Sequence, residues 1–438
     1  LAQSPTQPVS VNTDALLRAF DVLEKLQATN DLHEVLSLII DTLRDGLCAD
    51  RATVFQFDQS TQELFATQAH GSSSAPTPQI RFPITKGIAG EAARTRQILN
   101  IPDAYADPRF NPEFDKRTGY RTRNILTIPL LSSGGTLEGV AQVLNKNAAA
   151  AFDSADETIA RILAVQAAIA LRRAKLLHAE ARKNKIEHDL SIARKIQQAG
   201  LPKRLPQLSG YSLAAYSQPA EETGGDAYDL FQPGVAVPGS DAEAEAPLLF
   251  ALGDATGHGI GPALSAGQFR AMFRMGARLD AELPHLAAQI NAQLCADLPM
   301  GRFVTAFMGN LDPMAHTIDY VAAGQAPLVL VRQSGQHDIR DASAMPLGLD
   351  TDFIVDPVQP LALLPGDTFL LLSDGYYEAQ TPTNEHFGLD RVIATVLALP
   401  PDAPASAVIE AINRETLAFV QGRPYDDDQT AIVIRRNA

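Results

Sequence analysis

Cysteine is almost absent from this 438-residue chain, which has only Cys48 and Cys295, far apart and each in an apolar context. That excludes a disulfide framework and a Cys/His metal cluster; both thiols read as small apolar packing residues, which suits a reducing cytosol. Basic residues are outnumbered, with 36 Lys and Arg against 51 Asp and Glu and a net charge of −15. A broad electrostatic footprint for nucleic acid or an anionic membrane is therefore not expected, whereas a protein or small-molecule partner is. Long apolar runs are also missing: the longest near the C-terminus, residues 361–372, is interrupted by Pro365-Gly366-Asp367 and is far shorter than a membrane span. The start lacks a charged-then-apolar leader pattern, and because it opens on Leu1 the natural start is expected upstream. These features together predict a cytoplasmic location.

At this length two or three domains are expected, each large enough for its own core. Residues 1–11 are polar and Pro-rich and read as a tail. Leu16, Leu17, Phe20, Leu23 and Leu26 then recur at helical spacing, and Val35, Leu36, Ile39, Ile40 and Leu43 mark a second helix. Short strands follow at 53–57, 64–67, 125–131 and 138–144, the last two around Gly134-Gly135, giving a compact α+β unit that ends near Ala151.

Between Ser154 and Gly200 there is neither Pro nor an internal Gly, and the composition favours helix throughout. Ile162, Ile169, Leu176 and Leu190 fall on one seven-residue grid, interrupted by Lys183. Val165, Ala179, Ile186 and Ala193 fall on a second grid three residues on, with Arg172 in the gap. This pattern predicts a coiled-coil seam on a helix of roughly 65 Å, a length set by its 1.5 Å rise per residue. The alternative is a lone solvated connector. The helix stops at Gly200-Leu201-Pro202. A second α/β region follows, with strands expected at 248–252, 304–309, 318–322, 328–331, 368–372 and 431–434, helices at 262–279, 283–298 and 405–419, and a loop at 233–247.

Four aspartates in that second region, Asp226, Asp254, Asp374 and Asp427, each end or closely follow a strand-like or Gly-rich stretch. Any one Asp-Gly pair is an ordinary turn signal. Four in one domain are a candidate set of hard oxygen ligands, which match magnesium or manganese rather than zinc or copper. Two such ions a few ångströms apart can activate water for in-line attack on phosphorus, with no covalent enzyme intermediate required.

The ordered segments Ala193-Arg194-Lys195-Ile196-Gln197 with Leu201-Pro202, Gly224-Gly225-Asp226, Gly253-Asp254-Ala255-Thr256-Gly257-His258-Gly259, Arg302-Phe303-Val304-Thr305, Ala323-Gly324, Pro346-Leu347-Gly348, Pro365-Gly366-Asp367, Ser373-Asp374-Gly375 with Glu378, and Asp427-Asp428-Gln429-Thr430 resemble the protein phosphatase 2C (PPM) family. The likeness is to its bacterial, SpoIIE-like branch of sporulation and stress-response phosphatases. The resemblance implies a pair of antiparallel sheets flanked by helices and a metal-dependent Ser/Thr phosphatase using two Mn2+ or Mg2+ ions. It implies that Asp254 bridges the metals, that Asp226 and the carbonyl of Ala255 hold one side, and that Asp374 and Asp427 hold the other, with Asp428 supporting Asp427. Asp254 and Asp374 are the implied catalytic pair. Two positions depart from the family pattern: Ala227 replaces a commoner aromatic, and Gln325 stands where His is frequent. His258 reads as structural, with general acid as its alternative role.

Upstream, Asn145-Lys146, Phe152 and Asp156-Glu157 complete a motif that resembles GAF domains, most closely the cyclic-nucleotide-binding type. Lys146 at a strand end and Asp156 at a helix start can form an ion pair that frames the pocket. By position, the resemblance implies that Thr53, Ile88, Ala89, Asp115, Thr118, Thr122 and Gln142 line a ligand site. His70 and Gln142, where carboxylates would read guanine, favour cyclic AMP over cyclic GMP.

The expected architecture is α+β and multidomain, with a GAF sensor at 12–153, a coiled-coil linker at 154–200 and a PPM-type β-sandwich flanked by helices at 201–438. The expected partners are a phosphorylated protein, by family analogy an anti-sigma-factor antagonist, and a second copy of the chain in a parallel homodimer. A catalytically inactive phosphatase-like scaffold is the rival reading. A cyclic-nucleotide hydrolase is disfavoured because the required His/Asp metal set is missing.

Overall fold

The computed structural model describes residues 29, 31–66, 80–147, 151–233, 245–279 and 281–438. The helix expected over 16–26, the strand end at Thr67, and His70 lie outside those residues. The chain divides into two compact units, Leu1–Lys185 and Ile186–Ala438.

In the first unit, α1 (Leu32–Gly46) begins where the Asp31 carboxylate accepts from the amides of His33 and Glu34, at 2.8 and 3.0 Å, and so satisfies two of the helix's free donors. The following elements are β1 (Ala49–Asp58), β2 (Glu63–Ala66), β3 (Ile80–Pro83), α2 (Gly87–Thr95), β4 (Leu99–Ile101), α3 (Glu113–Thr118), β5 (Ile125–Leu131) and β6 (Leu137–Lys146). The strands form one antiparallel sheet in the order β3-β2-β1-β6-β5-β4. Side chains alternate between its faces with period two. Ala52, Val54, Ala141 and Val143 pack against Val35, Ile39 and Leu43 of α1 and Leu163, Ala167 and Leu171 of the next helix, while Phe55 and Val140 turn to α2.

That next helix, α4 (Ser154–Gly200), is continuous over 47 residues. Its opening turns are part of the first unit's core, since Ala160, Leu163, Ala164, Ala167, Leu171 and Ala174 are all buried. Arg172 and Lys175 reach back to the β5–β6 hairpin: Arg172 Nη1 donates to Ser132 Oγ at 3.1 Å and Lys175 Nζ to the carbonyl of Glu138 at 2.9 Å. The gap that Arg172 leaves in the heptad grid thus coincides with a tie to the sheet. The grid residues point outward: Ile162, Ile169, Leu176 and Ile186 are 52, 49, 62 and 52 % exposed in the single chain.

The second unit adds β7 (Tyr211–Gln218), β8 (Asp226–Phe231), β9 (Leu248–Ala255), α5 (Ile260–Arg278), α6 (Leu283–Asp297), β10 (Val304–Asp312), β11 (Thr317–Ala323), β12 (Leu328–Val331), β13 (His337–Arg340), β14 (Leu361–Ala362), β15 (Thr368–Leu372), α7 (Asp374–Tyr377), α8 (Leu389–Leu397), α9 (Ala405–Phe419) and β16 (Gln429–Arg436). Two antiparallel five-stranded sheets, β14-β11-β10-β9-β8 and β13-β12-β15-β16-β7, face each other. Phe250, Phe307 and Phe369 meet between them with ring centroids 5.4 to 6.0 Å apart, each burial contributing roughly 2 to 3 kcal/mol. Helices α5 and α6 cover the outer face of the first sheet and α8 and α9 that of the second. With both faces of the second sheet covered, β15 and β16 are buried along nearly their whole length.

Helix α5 is fastened to β8 through Asp229, which is fully buried and receives Arg270 at 3.1 Å and both donors of the Arg274 fork. Among the described residues no helix is long and apolar enough to cross a membrane.

Candidate functional site

The four aspartates come from both sheets. Asp226 opens β8 and lies directly opposite Asp254 of β9 in the ladder, so neither sits in a turn as their Gly-rich flanks suggested. Asp374 opens α7 immediately after β15, and Asp427 precedes β16. Three close approaches explain the flanking glycines. A Cβ on Gly224 would stand 2.4 Å from Asp428 Oδ2, one on Gly225 2.7 Å from the Ala255 carbonyl oxygen, and one on Gly375 2.0 Å from the Asp428 carbonyl oxygen.

The carboxylates disturb one another. Burial, then the charges of Asp374, Asp427 and Asp428, push Asp254 up to about 7. Burial, then Asp427 and Glu378, push Asp374 up to about 6. Asp226 is raised well above the usual carboxylate range by burial and then by Asp254 and Asp428. Asp226 Oδ2 is buried and has no hydrogen-bond partner. Among the described residues no three His, Cys, Asp or Glu side chains converge to cage one ion. An orphaned buried carboxylate oxygen among mutually repelling acids fits hard divalent cations that keep much of their own water and take one or two carboxylates each. Asp226, Asp254, Asp374, Asp427 and the Ala255 carbonyl are the groups that would hold them.

Asp428 supports Asp427 through its main chain, its N–H donating to Asp427 Oδ1 at 2.8 Å, while its carboxylate accepts from Ala220 N at 2.8 Å and Asp226 N at 3.3 Å. His258 Nδ1 lies 3.1 Å from Glu221 Oε2, both side chains exposed. The loop that follows Asp254 is held by residues 302–303: Arg302 donates to the Thr256 carbonyl, and Thr256 N donates to the Phe303 carbonyl at 3.1 Å.

One contact is not legible in the sequence. The Gln197 amide, near the end of α4, donates to the carbonyls of Gly224 at 2.7 Å and Asp226 at 3.3 Å, and its carbonyl accepts from Gly224 N at 3.3 Å. Gln197 stands seven residues after Leu190 on the heptad grid and closes the Ala193–Gln197 segment of the family resemblance, but neither signal names its partners.

In the first unit, Thr53, Gln142 and Thr127 form a row across β1, β6 and β5, with Gln142 Nε2 3.2 Å from Thr127 Oγ1. Thr127, fully buried, is not among the expected residues. Ile88 and Ala89 of α2 pack in the two small apolar clusters on that face of the sheet. Asp115 is buried and occupied within the protein, accepting from Thr122 N at 2.7 Å, Thr122 Oγ1 at 2.9 Å and Tyr105 Oη at 3.1 Å. The Thr118 side chain lies outside the described residues. Lys146 Nζ is 2.6 Å from Asp156 Oδ1 and 3.1 Å from the Leu47 carbonyl oxygen. Asn145, in the left-handed region at φ 58°, donates to the Arg121 carbonyl and accepts from Arg123 N. Glu157 accepts from Asn100 at 2.9 Å, and Phe152 is buried.

Comparison with protein families accounts for this helix-flanked double sheet and its buried acids. The stage II sporulation protein E (SpoIIE) family matches residues 244–437 and the GAF domain family residues 31–171. The chain therefore carries a SpoIIE PP2C-type phosphatase domain and an N-terminal GAF domain. It is 39% identical over 164 residues to a probable 3',5'-cyclic phosphodiesterase, pde-5, of Caenorhabditis elegans, covering 34% of this chain and 22% of that protein. It is 25% identical over 278 residues to Protein IcfG of Synechocystis, covering 57% of this chain and 42% of that protein. Among solved structures, the SiaA-PP2C domain of Pseudomonas aeruginosa aligns at 21% identity with a TM-score of 0.49, over 58% of this chain and 98% of that one. The chain spans less than half the length of the curated relatives it matches.

Proposed function

We propose that this chain is a ligand-regulated, metal-dependent protein serine/threonine phosphatase. The observation that carries the reading is that Asp226 and Asp254 stand opposite each other in the β8–β9 ladder, with Asp374 near enough to raise Asp254 by its charge and with Asp226 Oδ2 buried and unpartnered. Two Mn2+ or Mg2+ ions held there would neutralise the charge that develops as water displaces a serine or threonine oxygen from phosphorus. Asp254 would bridge the two ions, Asp226 with the Ala255 carbonyl would complete one side, and Asp374 with Asp427 the other. The substrate is a phosphoserine or phosphothreonine on a signalling partner, of which an anti-sigma-factor antagonist is the first candidate.

Residues 12–153 act as the sensor, 154–200 as the transmitter and 201–438 as the phosphatase. The sensor's ligand is a cyclic nucleotide, with cyclic AMP tested before cyclic GMP; relatives named cGMP-specific phosphodiesterases keep both in view. Thr53, Ile88, Ala89, Thr122 and Gln142 are the contacts to test, whereas Asp115, already occupied by Thr122 and Tyr105, shapes the pocket wall. The exposed seam of Ile162, Ile169, Leu176 and Ile186 supports a parallel homodimer, because such a stripe is buried by a second helix carrying the same heptad.

Hydrolysis of an aryl phosphate by the purified chain, dependent on manganese and abolished by chelator, tests the enzyme reading; no turnover with manganese present would favour the inactive scaffold. A rise in melting temperature with cyclic nucleotide tests the sensor.

A further inference from the structure

Between β11 of one sheet and β12 of the other, the chain crosses the sandwich through Gly324, Gln325, Ala326 and Pro327. Gln325 is a polar side chain only 4 % exposed, and each end of its amide faces a different sheet. Its Nε2 donates to the Leu372 carbonyl at 3.0 Å, two residues before Asp374. Its Oε1 is 3.4 Å from Thr305 Oγ1, and that hydroxyl is also 3.4 Å from the carbonyl of Asp254, the residue opposite Thr305 in the ladder. The crossing is pinned further by Tyr377, whose hydroxyl donates to the Ala326 carbonyl at 3.0 Å.

We propose that Gln325 is a positioning residue of the metal centre, its side-chain amide fixing the separation of the strand ends that carry Asp254 and Asp374. This rests on the two-metal reading above. Asp254 lies near the end of β9 and Asp374 follows β15, and those strands are in different sheets, so no backbone ladder sets the distance between the two carboxylates. An amide can do so because it donates at one end and accepts at the other, and it carries no charge that would compete for the ions. Asp226 has its own tie to the second sheet, through the Asp428 carboxylate, so each side of the centre is braced separately.

The test uses the full chain with manganese. Gln325→Met keeps the length and apolar stem but removes both hydrogen bonds; Thr305→Val removes the hydroxyl that faces the amide. Calorimetry counts the ions bound and their affinities, and electron paramagnetic resonance of the loaded protein reports the spacing of the manganese pair. Expected for Gln325→Met is at least tenfold weaker binding of one ion and an altered pair spectrum. Thr305→Val should change both in the same direction and the double variant no further, because the two act through one link. If Gln325→Met does not fold, Thr305→Val alone carries the test. Two ions bound with wild-type affinity and an unchanged pair spectrum in the folded variants would overturn the assignment. A wild-type chain that binds no manganese would instead overturn the metal-centre reading beneath it.

Discussion

Replacing Asp254 by Asn should make the metal-free protein more stable while destroying its response to metal. The carboxyl of Asp254 is carried from an ordinary value of 3.8 up to about 7 by burial and by Asp374, Asp427 and Asp428. A folded-state value above the unfolded one means that the contribution to stability is whole below pH 4 and is lost as the pH climbs through 7. Fully ionised, the group costs the fold on the order of 4 kcal/mol, at about 1.4 kcal/mol for each pH unit between the two values. The neighbouring acids can share a proton, which relieves part of the repulsion, so a gain of about 2 to 4 kcal/mol is expected from Asp254→Asn. In a domain of this size that is roughly 10 °C in melting temperature. The assay is scanning calorimetry in chelator at intervals from pH 4 to 8, which suits a chain without tryptophan. The two proteins should melt together near pH 4 and separate progressively up to pH 7. Saturating manganese should raise the wild type and leave the variant nearly unmoved. Equal melting at pH 8 in chelator, or an undiminished manganese response in the variant, would refute the reasoning.

Asp374→Asn should abolish aryl phosphate hydrolysis without unfolding the domain, and retained turnover would remove Asp374 from the centre. Gly225→Ala places a Cβ 2.7 Å from the Ala255 carbonyl oxygen, so it should cost about 1 to 3 kcal/mol and lower activity by more than tenfold, measured by melting and by rate. Lys146→Ala leaves the buried Asp156 carboxylate without its cation and should destabilise the first unit by about 3 kcal/mol, seen in its own calorimetric transition, while weakening any cyclic-nucleotide shift. Inserting four residues after Arg182 should uncouple phosphatase rate from ligand and inserting seven should preserve coupling; equal regulation in the two would show that heptad phase carries no signal.

Helices α6 and α9 are legible from apolar periodicity, and β9 and β15 from unbroken apolar runs. Helix α2 is not, because it opens on Gly87 and carries Gly90 in its interior, both breakers by composition. A Cβ on Gly90 would stand 2.4 Å from the Ile84 carbonyl oxygen, so that glycine is there for close packing. Strand β8 is hidden by Asp226 and Asp229, residue types that strands disfavour; one is a candidate metal ligand and the other is held by Arg270 and Arg274. Asp226, Asp254 and Asp374 are visible through their glycine neighbours, whereas Asp427 stands in a run of acids without one. The roles of Gln325 and Gln197 are not, because their partners lie 20 to 47 and 27 to 29 positions away, and nothing in local sequence reports such distances.

The Gln197 contact has an evolutionary consequence. Its amide addresses only main-chain atoms of residues 224 and 226, and main-chain atoms are the same whatever side chains stand there. Drift in the surrounding sequence therefore leaves the socket intact, and the socket asks nothing of what precedes the helix beyond one amide delivered at the right angle. A recombination joint placed upstream could exchange one sensor for another and keep the connection, provided the helix retains its phase. A joint that gained or lost a single residue would turn that amide by about 100° away from its carbonyls. Lineages that shuffle such sensors should then show linker lengths that differ by whole heptads.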